Sequence, residues 1–230
     1  MLMNRKLGQQ RLKAAEQVVA FCKKMVDDGL THATGGNISV RVAGTEEFAI
    51  SPSAVEYRLM TVEDVPIVDA EGVSVAPSRY GHTPSSELGM HLAAYRALPA
   101  TQVVIHTHSP YATTLACMEK ALPPIHYLVC SAGENVPCIP YYPFGSDELA
   151  CAAAEALDER HRAVLLGHHG LVVCGDSVYE AYTMAADIEF CCRLYIQALA
   201  SGNEPNVLKP DQVDEAIRTL RAYHKLEPSA

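Results

Sequence analysis

Long apolar runs, blocks of basic residues and an apolar N-terminal stretch are all absent from this sequence of 230 residues. No apolar run approaches about 18 residues, so we expect no transmembrane helix. The first six residues lack the hydrophobic stretch of a signal peptide, which favours a cytoplasmic protein. Lys and Arg number 18 against 27 Asp and Glu, giving a formal net charge of −9, so neither nucleic acid nor a membrane is an expected partner.

Cysteine pairs of the C-x-x-C type are absent as well, although the sequence contains eight cysteines. Most of them have apolar neighbours, and Cys191 and Cys192 are adjacent to each other. This pattern predicts reduced, buried thiols rather than a disulfide framework.

What is present indicates a globular chain with a sizeable core. Hydrophobic residues make up 49% and charged residues 20% of the sequence, whose mass is 24.9 kDa, and no linker or repeat divides it. We therefore predict a single domain over residues 1–230. Helical and alternating apolar patterns mix along the chain, which indicates a layered α/β or α+β architecture.

Local signals place the individual elements. Long helices are predicted at residues 7–28, at 177–202 with Ser177 and Glu180 as a capping box, and from a cap at Asp211 to about residue 224. Shorter helices are predicted from Ser85 or Ser86 to residue 98, after Ser109-Pro110, and after Ser146. The predicted strands are residues 38–42, 48–51, 65–68, 73–75, 102–106, 163–166 and 171–174.

Two histidine clusters follow apolar strands. His106 and His108 are two residues apart, so their side chains share one face of a strand and could bind one metal from one side. A further histidine comes from the pair His168-His169, after the apolar residues 163–166. Three imidazoles with one open position are typical of catalytic zinc. The alternative is that these histidines are scattered core or surface residues.

Two other segments suit an anion. Ser85 and Ser86 precede the predicted helix, where hydroxyls and free N–H groups can hold a phosphate, and Glu87 falls in its first turn. Gly35 and Gly36 could present backbone N–H groups to a phosphate in the same way. Plain capping and an ordinary turn are the alternatives for each segment taken alone. Together with the histidines, the segments predict metal-assisted chemistry on a sugar phosphate.

As a set, these motifs resemble the class II aldolase/adducin family, over about residues 10–224. The resemblance implies a three-layer α+β fold, in which a central, largely antiparallel mixed sheet lies between helix layers. It also implies a homotetramer of fourfold (C4) symmetry with sites between subunits. The motifs that carry it are Gly36-Asn37-Ile38-Ser39-Val40-Arg41, Pro84-Ser85-Ser86-Glu87, His106-Thr107-His108, Ile125-His126-Tyr127 and His168-His169-Gly170-Leu171.

The family pattern also implies residue roles. One zinc ion per subunit would be bound by His106, His108 and His169, and His168 would not be a ligand. Glu87 would be the catalytic acid/base and a ligand of the resting zinc, and Tyr127 would act as proton donor from a neighbouring subunit. The implied substrate-binding residues are Gly36, Asn37, Ser53, Ser85 and Ser86 around the phosphate, and Tyr223 on a mobile C-terminal tail.

The implied activity is a zinc-dependent, reversible cleavage of a 2-ketose 1-phosphate, similar to L-fuculose 1-phosphate, into dihydroxyacetone phosphate and a small aldehyde. The alternatives in the family are aldolases for 5-deoxyribulose or methylthioribulose 1-phosphate, a 3-oxo-tetronate-phosphate decarboxylase, and a pentulose-phosphate 4-epimerase, which usually carries Asp at the Glu87 position. A non-catalytic adducin-like domain is a further alternative. Three features depart from the pattern of the family's L-fuculose 1-phosphate enzyme. They are Ala54 in the phosphate loop, a longer stretch at residues 76–82, and Leu220.

Overall fold

The computed structural model describes residues 2–224 of the chain. In this part the α-helices are α1 (Leu2–Asp27), α2 (Leu88–Ala97), α3 (Pro110–Cys117), α4 (Asp147–Glu155), α5 (Val178–Ala200) and α6 (Pro210–His224). The strands are β1 (Asn37–Arg41), β2 (Phe48–Ile50), β3 (Ile67–Val68), β4 (Ser74–Ala76), β5 (Val103–Thr107), β6 (Cys138–Ile139), β7 (Ala163–Leu166) and β8 (Gly170–Gly175). Two short 3₁₀ helices lie at Val62–Asp64 and Tyr127–Ser131.

The described strands form one eight-stranded sheet in the order β4-β3-β2-β1-β5-β8-β7-β6. Every neighbouring pair is antiparallel except β6 and β7, which run parallel. This sheet confirms the prediction of a largely antiparallel, mixed sheet. Within residues 2–224, no helix is both long and apolar enough to cross a membrane.

Helices cover both faces of the sheet. In β5, Val103 and Ile105 pack with α1, α3 and α5, whereas Val104 points to the other face and packs with α2 and α4. Strands β7 and β8 alternate in the same way. Strands buried on both faces read as continuous apolar runs, which is why the patterns at 103–105 and 163–166 were so clear in the sequence.

Several predicted boundaries need correction. Helix α2 begins at Leu88, because Ser85 forms a turn first: its carbonyl accepts from the N–H of Leu88 at 3.1 Å, and its hydroxyl accepts from the N–H of Glu87 at 3.3 Å. Strand β3 is reduced to two residues, since it follows a 3₁₀ turn. Helix α6 begins at Pro210, so Asp211 lies in its first turn rather than at the cap.

Two further predictions hold only in part. Ser177 caps α5, but the carboxylate of Glu180 accepts from the N–H of Asp176 at 2.6 Å instead of completing a capping box on Ser177. All eight cysteines are free, as predicted, yet Cys117 and Cys151 are exposed rather than buried.

Candidate metal centre and active-site pocket

Strand pairing brings the candidate residues together at one edge of the central strands. His106 on β5 lies opposite Asn37 of β1 on one side and opposite Val172 of β8 on the other. Gly170, which follows His169 directly, pairs with Leu166 at the tight β7–β8 connection. Residues far apart in the sequence therefore meet where three neighbouring strands begin or end.

Three imidazoles converge at this point. The candidate ligand atoms of His106, His108 and His169 all lie within 4.8 Å of one another, and the Nε2 atoms of His106 and His108 are 2.9 Å apart. Nδ1 of His106 lies 3.0 Å from the carbonyl oxygen of Leu171. Because a carbonyl only accepts, Nδ1 carries the proton and Nε2 presents a lone pair to the cluster.

The electrostatics and the donor set fit a divalent metal. Burial, together with the neighbouring histidines, lowers the pKa of His106 well below its usual value, and burial also lowers the pKa of His108. Neutral imidazoles are the form that binds a metal. Oε1 of Glu87 and Nδ1 of His169 are buried and have no hydrogen-bond partner in the described part of the chain. Three imidazole nitrogens and an unpartnered carboxylate oxygen suit zinc.

Glu87 lies against the cluster. Its Oε2 atom is 3.3 Å from Nε2 of His106, and its Oε1 atom is 3.3 Å from Nε2 of His169. Oε2 also accepts a hydrogen bond of 2.8 Å from Nδ2 of Asn37. Glu87 is almost fully buried and has φ −102° and ψ 16°, which places it just before α2 rather than in its first turn.

Two glycines allow the close approach of these segments. A Cβ atom at Gly170 would lie 2.2 Å from the carbonyl oxygen of Thr107 and 3.1 Å from the ring of His108. Gly36 has φ +67°, and a Cβ atom there would lie 2.6 Å from the carbonyl oxygen of His106. The hydroxyl of the buried Tyr57 donates to the carbonyl oxygen of Gly36 at 2.5 Å. The segment before β1 can therefore lie directly against β5 only because residue 36 lacks a side chain, and the start of β8 can do so only because residue 170 lacks one.

A pocket of about 430 Å³ opens beside the cluster. Among the described residues that line it, none is Lys or Arg. The aromatic residues in its wall were not predicted. Three of them form a group at 141–144, which was their only signal in the sequence, and Tyr57 had none. The lining residues predicted from the sequence are Gly36, Asn37, Ser53, Ser85, Ser86, Glu87, His108 and His169, and those missed include Tyr57, Tyr141, Tyr142 and Phe144.

Ala54 is a strained residue in this lining. It has φ +58°, a left-handed conformation that glycine adopts without cost but that costs an alanine about 1 kcal/mol or more. The loop therefore keeps a backbone conformation that suits glycine, although the sequence has an alanine at this position.

Three other residues named from the sequence lie away from the cluster. Tyr127 is 53% exposed in its 3₁₀ helix, with its ring against His126, and does not line the pocket. Tyr223 is exposed on α6 and does not line it either. His168 does line the pocket, but it lies outside the group of three imidazoles. It has φ +56°, and its Nε2 atom lies 3.6 Å from Oε1 of Glu119.

Comparisons with known proteins agree with this geometry. The family described as "Class II Aldolase and Adducin N-terminal domain" matches residues 16–196. A 5-deoxy-D-ribulose 1-phosphate aldolase of Bacillus thuringiensis serovar kurstaki is 43% identical over 211 residues, 92% of this chain and 97% of that protein. A 5-methylthioribulose-1-phosphate/5-deoxyribulose-1-phosphate aldolase of Escherichia coli is 34% identical, covering 93% of this chain and 98% of that one.

A solved structure of an L-fuculose 1-phosphate aldolase superposes with a TM-score of 0.86 at 33% identity, over 91% of this chain and 96% of that chain. The chain therefore belongs to the class II aldolase and adducin family. It is an enzyme of the aldehyde-lyase class, to which the aldolases among its relatives belong.

Proposed function

We propose that this chain cleaves a 2-ketose 1-phosphate reversibly into dihydroxyacetone phosphate and a small aldehyde. The observation that carries the proposal is the shared pocket, which is lined by imidazoles, a carboxylate, serines and the glycine pair Gly35-Gly36. The N–H group of Gly35 already donates to the carbonyl oxygen of His32 at 2.9 Å, so of the two glycines only Gly36 is proposed to contact the phosphate. Such a substrate needs both the metal-binding groups and the hydrogen-bond donors. A metal can bind its carbonyl and hydroxyl oxygens, and uncharged donors can hydrogen-bond to its phosphate. The further proposals that the chain is one domain and that the metal is zinc follow from the family.

In this proposal Glu87 is the general acid and base. His106, His108 and His169 would hold the zinc ion, and the bound ion would supply Lewis-acid polarisation of the ketose carbonyl. Glu87 exchanges the proton at C3 of dihydroxyacetone phosphate, and the electron pair of the broken C–H bond stays on the substrate. Glu87 is almost fully buried, lies beside two imidazoles and lines the pocket. Groups in this role typically contribute about 10²–10⁴-fold to the rate.

Tyr127 of a neighbouring subunit exchanges the second proton. In the direction of synthesis its hydroxyl donates to the aldehyde oxygen, which becomes the C4 hydroxyl. Afterwards Glu87 releases to solvent the proton that it took from C3, and Tyr127 takes up a proton from solvent. The exposure of Tyr127 and its absence from the pocket of its own chain support a role across a subunit boundary. A homotetramer of fourfold symmetry, as the family implies, would create such boundaries, and light scattering of the purified protein tests it.

The phosphate is proposed to bind at Gly36, Ser53, Ser85 and Ser86, which line the pocket. The side-chain amide of Asn37 is already engaged by Glu87 and His91, so the phosphate contact predicted for Asn37 stays a prediction. The substrate contact predicted for Tyr223 also stays a prediction.

We propose a 5-deoxypentulose 1-phosphate as the substrate, with acetaldehyde as the second product. The relative with 43% identity carries that activity in its name. Tyr141 and Phe144 line the pocket and are largely exposed, so they offer an apolar surface to a methyl group. L-fuculose 1-phosphate, with lactaldehyde as product, is the second candidate, and the TM-score of 0.86 to its aldolase favours it.

One assay tests both reaction and substrate. Purified protein is incubated with dihydroxyacetone phosphate and acetaldehyde, methylthioacetaldehyde or lactaldehyde, with and without a chelator. We expect chelator-sensitive formation of ketose phosphate, with the highest kcat/KM for acetaldehyde and a rate about 10²–10⁴-fold lower for Glu87→Gln. No ketose phosphate from any aldehyde in the presence of zinc would rule out the proposal; a preference for lactaldehyde would select the second candidate.

A further inference from the structure

A buried polar chain runs from Glu87 into the core between the sheet and α2. Nδ2 of Asn37 lies 2.8 Å from Oε2 of Glu87, and Oδ1 of Asn37 lies 2.5 Å from Nε2 of His91. Nδ1 of His91 lies 2.7 Å from Oγ of Ser39, which lies 3.0 Å from the hydroxyl of Tyr95. All five side chains are buried, and His91 and Ser39 are fully so.

The chemistry of the groups fixes the direction of every hydrogen bond in this chain. An ionised carboxylate only accepts, so the Asn37 atom beside Oε2 is its amide nitrogen and the atom beside His91 is its oxygen. That oxygen also only accepts, so Nε2 of His91 carries the ring proton and Nδ1 is bare. Ser39 must then donate to Nδ1, which leaves its oxygen free to accept from Tyr95.

The state of His91 and Tyr95 agrees with this assignment. Burial lowers the pKa of His91 to about 4, so the ring is neutral and carries a single proton. Burial raises the pKa of Tyr95, so its hydroxyl keeps a proton to donate. Tyr95 also lies 3.0 Å from the carbonyl oxygen of Ser39, a second acceptor for that proton.

The two carboxylate oxygens of Glu87 consequently differ in their hydrogen bonding. Oε2 is held by Asn37, whereas Oε1 is buried and has no hydrogen-bond partner among the described residues. A protonated Oε2 would face the N–H group of Asn37 and would need the amide to turn over, which the proton on His91 opposes. Oε1 is under no such restriction and can take up or release a proton without disturbing the chain.

We infer that His91 is a positioning residue, which acts through Asn37 to hold Oε2 of Glu87 and leaves Oε1 as the atom that exchanges the C3 proton of the substrate. This role rests on the proposed function of Glu87. The proton passes from C3 to Oε1 and back, and no proton moves along the hydrogen bonds between Glu87 and Tyr95. His91 touches neither substrate nor metal.

Nitrogen-15 NMR of ring-labelled protein tests the assignment independently of activity. We expect the fully buried His91 ring to show a protonated Nε2 and a bare Nδ1. Asn37→Ala should shift the Nε2 resonance, and Ser39→Ala should shift the Nδ1 resonance. A ring protonated at Nδ1 instead would reverse the chain and overturn the inference.

Kinetics with dihydroxyacetone phosphate test the positioning role. His91→Leu removes the donor at similar size, and we expect kcat for C3 proton exchange to fall about 10- to 100-fold, as a displaced base would cause. KM should change less than about twofold, since the phosphate contacts remain. His91→Gln, whose amide can donate near the position of Nε2, should recover most of the rate. Leu92→Ala, a packing change in the same helix, should lower Tm and leave kcat within about twofold.

The dependence on Asn37 supplies the sharpest comparison. In an Asn37→Ala background, His91→Leu should cost no further rate, because the residue through which it acts is gone. Additive losses, or equal losses in folded His91→Leu and His91→Gln, would overturn the positioning role. An unchanged kcat in folded His91→Leu would overturn it as well, while leaving the proposed aldolase intact. A metal-loaded wild-type protein that exchanges no C3 proton would instead refute the proposed function, and this role with it.

Discussion

The Nε2 atoms of His106 and His108 lie 2.9 Å apart, and the Nδ1–H group of His106 donates to the carbonyl oxygen of Leu171. The lone pair of His106 therefore points at the same small volume as the rings of His108 and His169. A shared cation turns this convergence into three favourable contacts, since each neutral imidazole can then act as a ligand.

Removal of any one ring should lower the metal content sharply. We expect His106→Ala, His108→Ala and His169→Ala each to lose most of the bound metal, because the two remaining imidazoles bind weakly. His168→Ala is the matched control: it changes the adjacent histidine, which lies outside the group, and should keep the metal. Elemental analysis after identical zinc loading measures this, and loss in His168→Ala with retention in His169→Ala would reverse the ligand assignment.

Gly170→Ala should damage both stability and metal binding. The new methyl group would lie 2.2 Å from the carbonyl oxygen of Thr107, a backbone atom between His106 and His108 that cannot move without shifting them. We expect a loss of about 1–3 kcal/mol or more in the free energy of unfolding. Gly8→Ala is the control, since Gly8 lies inside α1 with open space around its Cβ position.

Urea unfolding and metal analysis distinguish the two glycines. Gly8→Ala should raise stability by up to about 1 kcal/mol, as alanine favours a helix, and should leave the metal content unchanged. A Gly170→Ala protein with wild-type stability and metal content would show that the two strands are not held as closely as the structure has them.

His91 should make stability depend on pH. Burial lowers its pKa in the folded protein to about 4, and the negative charge of Glu87 offsets this only in part. The unfolded chain has the ordinary value of about 6.5, so between these values it binds a proton that the folded protein does not. The contribution of His91 is therefore fully present above pH 6.5 and is lost as the pH falls towards 4, by about 3 kcal/mol in total.

Chemical unfolding at pH 7, 6, 5 and 4.5 measures this effect as a difference between proteins. His91→Gln cannot titrate, so its free energy of unfolding should fall less steeply below pH 6.5 than that of the wild type. Parallel pH profiles for the two proteins would mean that His91 is protonated in the folded state as easily as in the unfolded one.

Periodicity explains which features could be predicted from the sequence. The residues at 103–105 and 163–166 are buried on both faces of the sheet, and they end beside the histidines that follow them, so strand and metal-site signals reinforced each other. Ser85 and Glu87 were placed in a helix because capping residues look alike in a turn and in a first helical turn. Only the hydrogen bonds of Ser85 show that the turn comes first.

Contacts between distant segments explain what the sequence could not reveal. Asn37 meets Glu87 because β1 pairs with β5 while α2 packs below them, a separation of 50 residues that no local pattern encodes. His91 lies among apolar residues on α2 and has no motif of its own. The aromatic wall at 141–144 likewise faces the pocket only through the tertiary fold.

Tyr127→Phe should separate the two halves of the proposed reaction. Glu87 and the metal site are intact in this variant, so exchange of the C3 proton of dihydroxyacetone phosphate with solvent should continue near the wild-type rate. Carbon–carbon bond formation should fall about 10²–10⁴-fold, the usual contribution of a group that supplies a proton in the transition state. Parallel assays of proton exchange and of ketose phosphate formation measure the two steps.

Subunit mixing tests where Tyr127 acts. Its side chain is 53% exposed and lines no part of the pocket in its own chain, so we expect it to serve the site of another subunit. Inactive Glu87→Gln and Tyr127→Phe proteins, dissociated together and allowed to reassemble, should then regain part of the activity. Some sites would combine an intact Glu87 from one chain with an intact Tyr127 from another. Wild-type protein taken through the same treatment controls for recovery, and hybrids that stay inactive beside a recovered control would exclude the shared site.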